Sequence, residues 1–599
     1  MCGISVCIGN EKSADMVLHG LKKLEYRGYD SWGIAVVTEI EKEPFITMKE
    51  VGKVNGAKLS MAASMGTNKI SIGHTRWATH GGISENNSHP HFDCNKRIAV
   101  VHNGIIENYK ELKAKLQKDN HKFVSQTDTE VLPHLIGDLM SKQKMTFVEA
   151  ATEVAKEIEG RSAFVAVDSK SSTVVAARVG NPIIIGVGKA GDFFIGSDVS
   201  AFLEFTNKVV YLEDGELAVF DSKKKKPPMF MNLKSGKEIT KPIVEINWKV
   251  GETDKGKYEH FLEKEIMEQK KTIAAASDQD DKKLIAVAKK LKDAKKIFIV
   301  GCGTGNKVCM TAEYLFGKIA GLESKAIVGS EFKNYINQLK EGSVLIAVSQ
   351  SGETADVIEA MEEAKKKGVK LVSILNVYGS TAMRMSDDYF IVNAGAERAV
   401  VSTKATTAQM SVLTLLAYAV AGKLPEGKKL IEKASKDVGA MLDKNYEKEI
   451  DKLAKILAGK QSMVLIGRGL NYPMAQEGAI KLQETCYINA LGLAGGELKH
   501  GPLALIEKGT PCIVFAPDDE TKPEMISNAI EVKSRGGYII GVSPTKNDTF
   551  DYWIKVPEAG NASPIANIIP IQMLAYRLAV LQGLNPDYPR NLAKSVTVK

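Results

Sequence analysis

Residues 344–354 read Val344-Leu345-Ile346-Ala347-Val348-Ser349-Gln350-Ser351-Gly352-Glu353-Thr354. Five apolar residues with no polar break fit a strand buried on both faces, as in a parallel sheet. A helical pattern follows, Asp356 to Lys367, with Val357, Ile358, Met361 and Ala364 on one stripe; the apolar run Leu371 to Leu375 then resumes the sheet. Upstream, Ile297-Phe298-Ile299-Val300-Gly301 is a strand of the same kind. The plan recurs: that strand matches Met463-Val464-Leu465-Ile466-Gly467, and Val344 to Val348 matches Cys512 to Ala516 at a similar offset. The pattern predicts two α/β units with parallel sheets, 258–442 and 443–599, with a duplication as their origin.

Further towards the N-terminus the periodicity changes. Short β-type runs crowd the first ~240 residues: Ile4 to Ile8, Gly33 to Thr38, Ile98 to His102, Phe164 to Val167, Val174 to Arg178 and Ile183 to Val187. Helical patterns interrupt them at Asp15 to Leu24 and Asp128 to Leu139. Alternating strands bounded by Gly, Asn and Asp argue for packed antiparallel sheets with helices outside, over residues 1–240. A Lys/Pro/Gly-rich stretch between Lys223 and Lys257 marks the linker, placed at 241–257. The run Lys223 to Lys226, followed by Pro227 and Pro228, reads as a solvated loop tip.

Length and composition fit this division. The 599 residues suit three or four domains, and 44% hydrophobic with 25% charged residues is ordinary for a globular chain. A net charge of +8 without a basic, aromatic-studded stripe gives no footing for nucleic acid. Seven cysteines are too few, and odd in number, for a secreted disulfide framework. No run reaches the ~18 consecutive apolar residues of a membrane span; the closest, Ser411 to Gly422, reads as a buried helix. Nothing at the N-terminus reads as a signal peptide. The expected location is cytoplasmic, without a membrane.

Cys2 follows the initiator methionine. Removal of Met1 would place a free α-amine, with an ordinary pKa of about 7.7–8.0, on the same residue as a thiol. Acting through a water, it can serve as general base to its own nucleophile. A small buried cysteine at position 2 is the alternative, and other segments decide between them. Leu24-Glu25-Tyr26-Arg27-Gly28-Tyr29-Asp30-Ser31, Gly73-His74-Thr75-Arg76-Trp77-Ala78-Thr79-His80-Gly81, His102-Asn103-Gly104-Ile105-Ile106-Glu107-Asn108 and Ser125-Gln126-Thr127-Asp128-Thr129-Glu130 follow in that order. Together with Cys2-Gly3-Ile4, this set resembles the N-terminal-nucleophile class II glutamine amidotransferase domain, an αββα glutaminase sandwich. The resemblance implies that Cys2 attacks the glutamine side-chain amide. The Asn103 amide and the Gly104 backbone N–H, on the turn after the strand, would hold the oxyanion. Arg76 and Asp128 would bind the carboxylate and ammonium of glutamine, and Trp77 would close the site. Seven of the ten histidines lie between positions 74 and 134, but no HExxH, Cys-x-x-Cys pair or carboxylate at ligand spacing accompanies them. No metal is expected.

In physical terms the Ser349–Thr354 stretch, between strand and helix, is an anion site: unpaired helix N–H groups, a positive dipole end and three hydroxyls, without a P-loop lysine. Spacing alone fits a plain N-capped helix equally well. The motif resembles the SxSGxT loop of SIS (sugar isomerase) domains, and the duplicate unit resembles a tandem pair. The resemblance implies sugar-phosphate contacts from Ser349, Gln350, Ser351 and Thr354, from Thr304 in Gly301-Cys302-Gly303-Thr304, and from Ser402 and Thr403. Gly305 stands where bacterial relatives commonly carry serine. Gly301-Cys302-Gly303 is no dinucleotide fingerprint, since position 306 is Asn306 rather than the third glycine.

In the second unit Lys481 and Glu484 are spaced i, i+3 and share a helix face, which an ordinary surface ion pair would also do. Glu497-Leu498-Lys499-His500-Gly501-Pro502 and the tail Leu592-Ala593-Lys594-Ser595-Val596-Thr597-Val598 extend the resemblance over essentially the whole chain, to the glucosamine-fructose-6-phosphate aminotransferase (isomerising) family. It implies that glutamine and fructose 6-phosphate give glucosamine 6-phosphate and glutamate, the first step of hexosamine biosynthesis, with ammonia passed internally. His500 would open the sugar from a neighbouring subunit, Lys594 would form a Schiff base and Glu484 would move the proton between C1 and C2, with Lys481 in the sugar site. It further implies a homodimer or higher homo-oligomer and no cofactor. An amidophosphoribosyltransferase would need an acidic diphosphate loop, an asparagine synthetase an SGGxDS loop; neither is present. A non-enzymatic sugar-phosphate sensor would have no use for Cys2, Asn103 and Asp128 together.

Overall fold

Two kinds of apolar patterning give two kinds of sheet in the computed structural model, which describes residues 2–54, 69–189, 191–223, 226–246 and 255–597. The chain divides into two units, Met1–Gly251 with Ser595–Lys599, and Glu252–Lys594.

In the first unit, β1 (Gly3–Ile8), β2 (Ser31–Val37), β3 (Phe45–Val51), β4 (Ile70–Arg76), β5 (His91–Phe92), β6 (Ile98–Gly104), β7 (Ser162–Asp168), β8 (Thr173–Val179), β9 (Ile184–Val187), β10 (Phe193–Gly196), β11 (Lys208–Tyr211), β12 (Glu216–Asp221), β13 (Met229–Asn232), β14 (Glu238–Ile239) and β15 (Val244–Glu245) form two antiparallel sheets. Their orders are β15-β11-β9-β10-β1-β4-β2-β3 and β14-β13-β12-β8-β7-β6-β5. The period of two along each strand sorts its side chains between two cores. From β1, Ile4, Val6 and Ile8 meet Ala99, Val101 and Val165 between the sheets. Cys7 instead joins Val17, Leu18 and Leu21 of the outer helix Ser13–Leu24. On the other side Ile98 and Val100 pack against Leu132, Ile136 and Val154 of the helices Val131–Lys142 and Phe147–Glu157. The expected αββα sandwich is present. β6 runs past the predicted Ile98–His102, because Asn103 and Gly104 pair with Ala163 and Ser162 of β7. Those two residues end a strand rather than occupy a turn. Of the stretch read as linker, β15 pairs with β11, while residues 247–254 lie outside the described residues, as do Lys224 and Lys225 of the lysine run.

The second unit holds two parallel sheets: β16 (Ile297–Gly301), β17 (Lys325–Val328), β18 (Val344–Ser349), β19 (Lys370–Leu375), β20 (Asp388–Ile391), and then β21 (Ser462–Gly467), β22 (Asn489–Ala494), β23 (Pro511–Phe515), β24 (Tyr538–Ser543), β25 (Tyr552–Lys555). The orders β17-β16-β18-β19-β20 and β22-β21-β23-β24-β25 are the same topology twice. One apolar core joins both sheets through Leu262, Leu413, Leu482 and Leu574 of four long helices. Ser411 to Gly422 lies largely in the buried helix Lys404–Val420. A longer apolar segment lies elsewhere: among the described residues Gly560–Leu581 has the length and mean hydropathy (1.4) to cross a membrane, yet 83% of that window is buried within the fold. Scattered Asn, Gln and Tyr hid it from a search for unbroken apolar runs.

Candidate active sites

The Cys2 thiol sits where β1 begins, and its sulfur accepts the Trp77 N–H at 3.3 Å. Burial pushes the thiol above its ordinary range, against a smaller pull from the chain's amino end, the Trp77 N–H and Arg76. Asn103 is 5% exposed. Its Nδ2 donates to Ser197 Oγ at 2.6 Å, and its Oδ1 lies 3.1 Å from His74 Nε2. Gly104 has φ +122°, and a Cβ there would fall 2.0 Å from the Arg161 carbonyl oxygen, so only glycine lets β6 finish in this geometry. Asp128 Oδ2 accepts the Ile106 N–H at 2.8 Å, while Oδ1 accepts no hydrogen bond among the described residues. Arg76 is 2% exposed; its guanidinium donates to the carbonyls of His80, Gly81 and Gly82 at 2.6–3.1 Å. It therefore anchors the loop after Trp77 as well as standing beside Cys2.

Buried histidines brace this site. His74 and His89 stack with ring centroids 3.9 Å apart. His102 bridges Thr129 and Ser162 at 2.8 and 3.0 Å, and His91 meets Thr127 at 3.1 Å. Burial pushes His74 down to about 3 and His102 to about 4, so both are neutral at physiological pH. A histidine in the unfolded chain protonates near 6.5. These groups therefore stabilise the fold fully above about pH 6.5, and the contribution is lost as pH falls towards their folded values. Each proton taken up only on unfolding makes the loss steeper by about 1.4 kcal/mol per pH unit. Amide hydrogen exchange of residues 98–104, corrected for intrinsic rates, is expected to show much lower protection at pH 5 than at pH 7. Equal protection at both values would contradict this.

In the second unit, sheet order reverses between β16 and β18, with β17 on the far side. Ligands of open α/β sheets bind at such a crevice, at the carboxyl ends of the strands. The helices Thr304–Ala320 and Ala355–Lys366 both start there. Ser349 Oγ accepts the Gly352 N–H at 3.0 Å and lies 3.1 Å from Thr354 Oγ1; Ser351 Oγ accepts the Glu353 N–H at 3.2 Å. Gly352 has φ +66°, and its Cβ would strike Ser380 Oγ at 2.2 Å, so this tight turn requires glycine. At Gly305 a Cβ would lie 3.2 Å from the Val348 carbonyl oxygen, a close fit that a serine must relax to enter. The corresponding loop of the second sheet, when the helix starts are aligned, is Ala516-Pro517-Asp518-Asp519-Glu520-Thr521. Ala516 and Asp518 stand where Ser349 and Ser351 stand, Asp519 replaces Gly352, and Thr521 alone keeps its hydroxyl, so that loop offers a phosphate fewer donors and two more negative charges than the first.

Thr304 reaches across to the helix Tyr472–Cys486: its Oγ1 donates to Glu477 Oε1 and accepts from Lys481 Nζ, both at 3.1 Å. Lys481 is also 3.1 Å from Glu484 Oε2 and 3.3 Å from Glu477 Oε1. With Lys481 1% exposed, this is no surface pair. Burial pushes Glu477 up to about 7, offset in part by Lys481. Burial would lower the Lys481 ammonium, but Glu477 and Glu484 outweigh it and raise it. Glu484, 23% exposed, is the charged member of the cluster open to a substrate. Lys594 forms a second buried pair, 2.6 Å from Glu397 Oε2, which Ser402 Oγ also donates to at 3.0 Å. Glu397 Oε1 accepts the N–H groups of Thr403 and Ala405 at the start of helix Lys404–Val420. Burial opposes its ionisation, yet Lys594 and these donors hold it below the usual carboxylate range. His500 ends the 3-10 turn Gly495–His500, exposed and without a hydrogen-bond or ion-pair partner among the described residues.

Known proteins share this plan. The SIS domain family matches residues 290–419 and 456–582, and the glutamine amidotransferase domain family matches 74–204. The glutamine–fructose-6-phosphate aminotransferase (isomerizing) of Pyrococcus horikoshii is 43% identical over 611 aligned positions, covering 100% of both chains. That of Thermococcus kodakarensis is 39% identical with the same coverage. The chain belongs to the glutamine–fructose-6-phosphate aminotransferase (isomerizing) family. The solved C-terminal domain of glucosamine-fructose-6-phosphate aminotransferase from Francisella tularensis, 32% identical, covers 56% of this chain and 100% of its own, with a TM-score of 0.52.

For a member of this aminotransferase family, the structure brings together Cys2, Trp77 and Arg76 in one cluster, Thr304, Lys481 and Glu484 in another, and Ser402 with Lys594 in a third. His500 joins none of them. Sequence reasoning missed the residues that hold the chemistry in place: His74 and Ser197 on Asn103, Glu477 on Lys481, and Glu397 on Lys594. The histidine cluster was the available signal for the first of these. Glu477 lay four residues before Lys481 on the same helix face and was legible by spacing.

Proposed function

We propose that the two units divide one reaction, the transfer of the glutamine amide nitrogen to fructose 6-phosphate. The observation that carries it is a half-buried thiol at the head of a glutaminase sandwich on the same chain as a hydroxyl-lined SIS switch point. With Met1 removed, the α-amine of Cys2 takes the thiol proton through a water, and the sulfur attacks the amide carbon; the amine returns that proton to the leaving nitrogen, the C–N bond breaks to release ammonia, and water hydrolyses the thioester to glutamate and the free thiol. The oxyanion is held by the remaining Asn103 Nδ2 hydrogen and the Gly104 N–H; His74 and Ser197 fix the rotamer of Asn103. Asp128 Oδ1 takes the substrate ammonium, and the unspent N–H groups of Arg76 take its carboxylate, with Trp77 closing over them.

Fructose 6-phosphate lies over the start of helix Ala355–Lys366, its phosphate held by Ser349, Gln350, Ser351 and Thr354. Lys594 condenses with the C2 ketone, losing water; ammonia displaces the lysine, and Glu484 carries a proton from C1 to C2, giving the aldose. Lys481 orients Glu484 through their 3.1 Å ion pair. His500, exposed and unpartnered, suits a group that completes the site of a second copy, so the assembly is a homodimer or larger. Seven cysteines, all free, suit a reducing cytoplasm. No metal or organic cofactor enters these steps. We divide the chain at 1–240, 241–257, 258–442 and 443–599. Incubation with glutamine and fructose 6-phosphate is expected to yield glutamate and glucosamine 6-phosphate in equal amounts. Glutamate release with phosphoribosyl diphosphate but none with the hexose phosphate would contradict the reading.

A further inference from the structure

Three side chains that take no part in the glutaminase chemistry converge in the first unit. Cys94 lies in the turn between β5 and β6, His121 follows the helix Tyr109–Lys118, and His134 lies in the first turn of Val131–Lys142. Cys94 Sγ is 3.9 Å from His121 Nδ1 and 3.6 Å from His134 Nδ1, and the two Nδ1 atoms are 3.1 Å apart. For tetrahedral zinc with Zn–N near 2.05 Å and Zn–S near 2.3 Å, ligand atoms sit about 3.3 Å apart for N,N and about 3.6 Å for S,N. The observed triangle matches within a few tenths of an ångström.

A second observation points the same way. His121 Nε2 lies 3.0 Å from Asp138 Oδ1, and His134 Nε2 lies 3.7 Å from Glu130 Oε1. The Asp138 carboxylate holds the His121 ring proton on Nε2, the arrangement by which metal-bound imidazoles are oriented, and leaves the His121 Nδ1 lone pair facing His134 Nδ1 and the Cys94 sulfur. His134 Nε2 is buried without a hydrogen-bond partner among the described residues, and none of the described Lys or Arg side chains makes an ion pair or hydrogen bond to the three.

We propose that Cys94, His121 and His134 bind one zinc ion, with water as its fourth ligand. Binding releases the Cys94 proton, leaving a thiolate on the metal. The ion ties the turn at 93–97 and the 121–125 segment to the helix immediately after Asp128, Thr129 and Glu130, so it supports the glutamine site from outside. Gaps of 27 and 13 residues between the ligands explain why no sequence motif announced it. The same full-length protein, purified without a metal-binding tag, is expected to carry about one zinc per chain by elemental analysis. Cobalt-loaded protein is expected to show the near-ultraviolet thiolate-to-cobalt charge-transfer band. Cys94→Ala, at an exposed position that folding tolerates, should lower metal content at least tenfold and abolish the band; His121→Asn should do the same. A cobalt band that Cys94→Ala removes supports the site even when the purified protein arrives zinc-poor. No zinc and no band in the unaltered chain, or a band that survives Cys94→Ala, would overturn it.

Discussion

Cys2→Ala is expected to lose glutamine-dependent hexosamine synthesis by on the order of 10⁴-fold or more, the scale seen when a catalytic nucleophile is removed. Ammonia-dependent synthesis, assayed at high ammonium concentration, should stay within a few-fold of the unaltered protein. The reasoning is local. Cys2 contacts Trp77 and Arg27, all within the glutaminase unit, and its replacement by alanine removes one sulfur from a site that the Ser197, Asn103 and His74 network holds independently. The proposed sugar site, Thr304, Ser349 to Thr354 and the Lys481 cluster, keeps all of its contacts. A calorimetric titration with fructose 6-phosphate should give the same affinity in both proteins. Loss of sugar binding, or of ammonia-driven synthesis, in Cys2→Ala would break the proposed division of labour.

Lys594→Ala has the opposite signature. Synthesis from glutamine and from ammonia should both fall on the order of 10⁴-fold, because in the proposed mechanism the carbonyl loses its imine-forming partner whatever the nitrogen source. Glutaminase turnover should persist. The substitution also strands Glu397, which is 0% exposed beside the lysine. Removing one partner of a buried pair costs about 3–5 kcal/mol, so the melting temperature of this variant should drop. Stability and chemistry are separable here. Lys594→Met with Glu397→Gln removes both charges and should recover most of the melting temperature while remaining inactive. Activity returning with stability in the double variant would show that Lys594 is only a structural counter-ion.

How much of this was legible beforehand follows from what each element is made of. Strands such as β16, β18 and β21 are continuous apolar runs because both of their faces are covered, and their positions could be read to within a residue or two. β4 was harder: its last four residues, Gly73-His74-Thr75-Arg76, look like a polar loop. They form a buried strand because β1 and β2 pair with it on both sides, and because His74 finds the His102 carbonyl and Asn103. The helix expected from Asp128 begins only at Val131, since Asp128 and Glu130 spend their carboxylates on backbone N–H groups of Ile106, Val124 and Ser125. Motif order pointed to Cys2 and to the Ser349–Thr354 loop as candidates. Ser197 beside Asn103, Glu397 beside Lys594 and the Cys94–His121–His134 triad are brought together by tertiary approach over long sequence gaps, which no local period encodes.

The most direct measurement uses glutamine labelled with ¹⁵N at the side-chain amide, fructose 6-phosphate and unlabelled ammonium in the buffer, with mass analysis of the amino sugar. The account predicts that the product carries the label, and that Cys2→Ala makes only unlabelled product. Amino sugar that takes its nitrogen from the buffer in the unaltered protein, or glutamate formed with no labelled hexosamine, would contradict it.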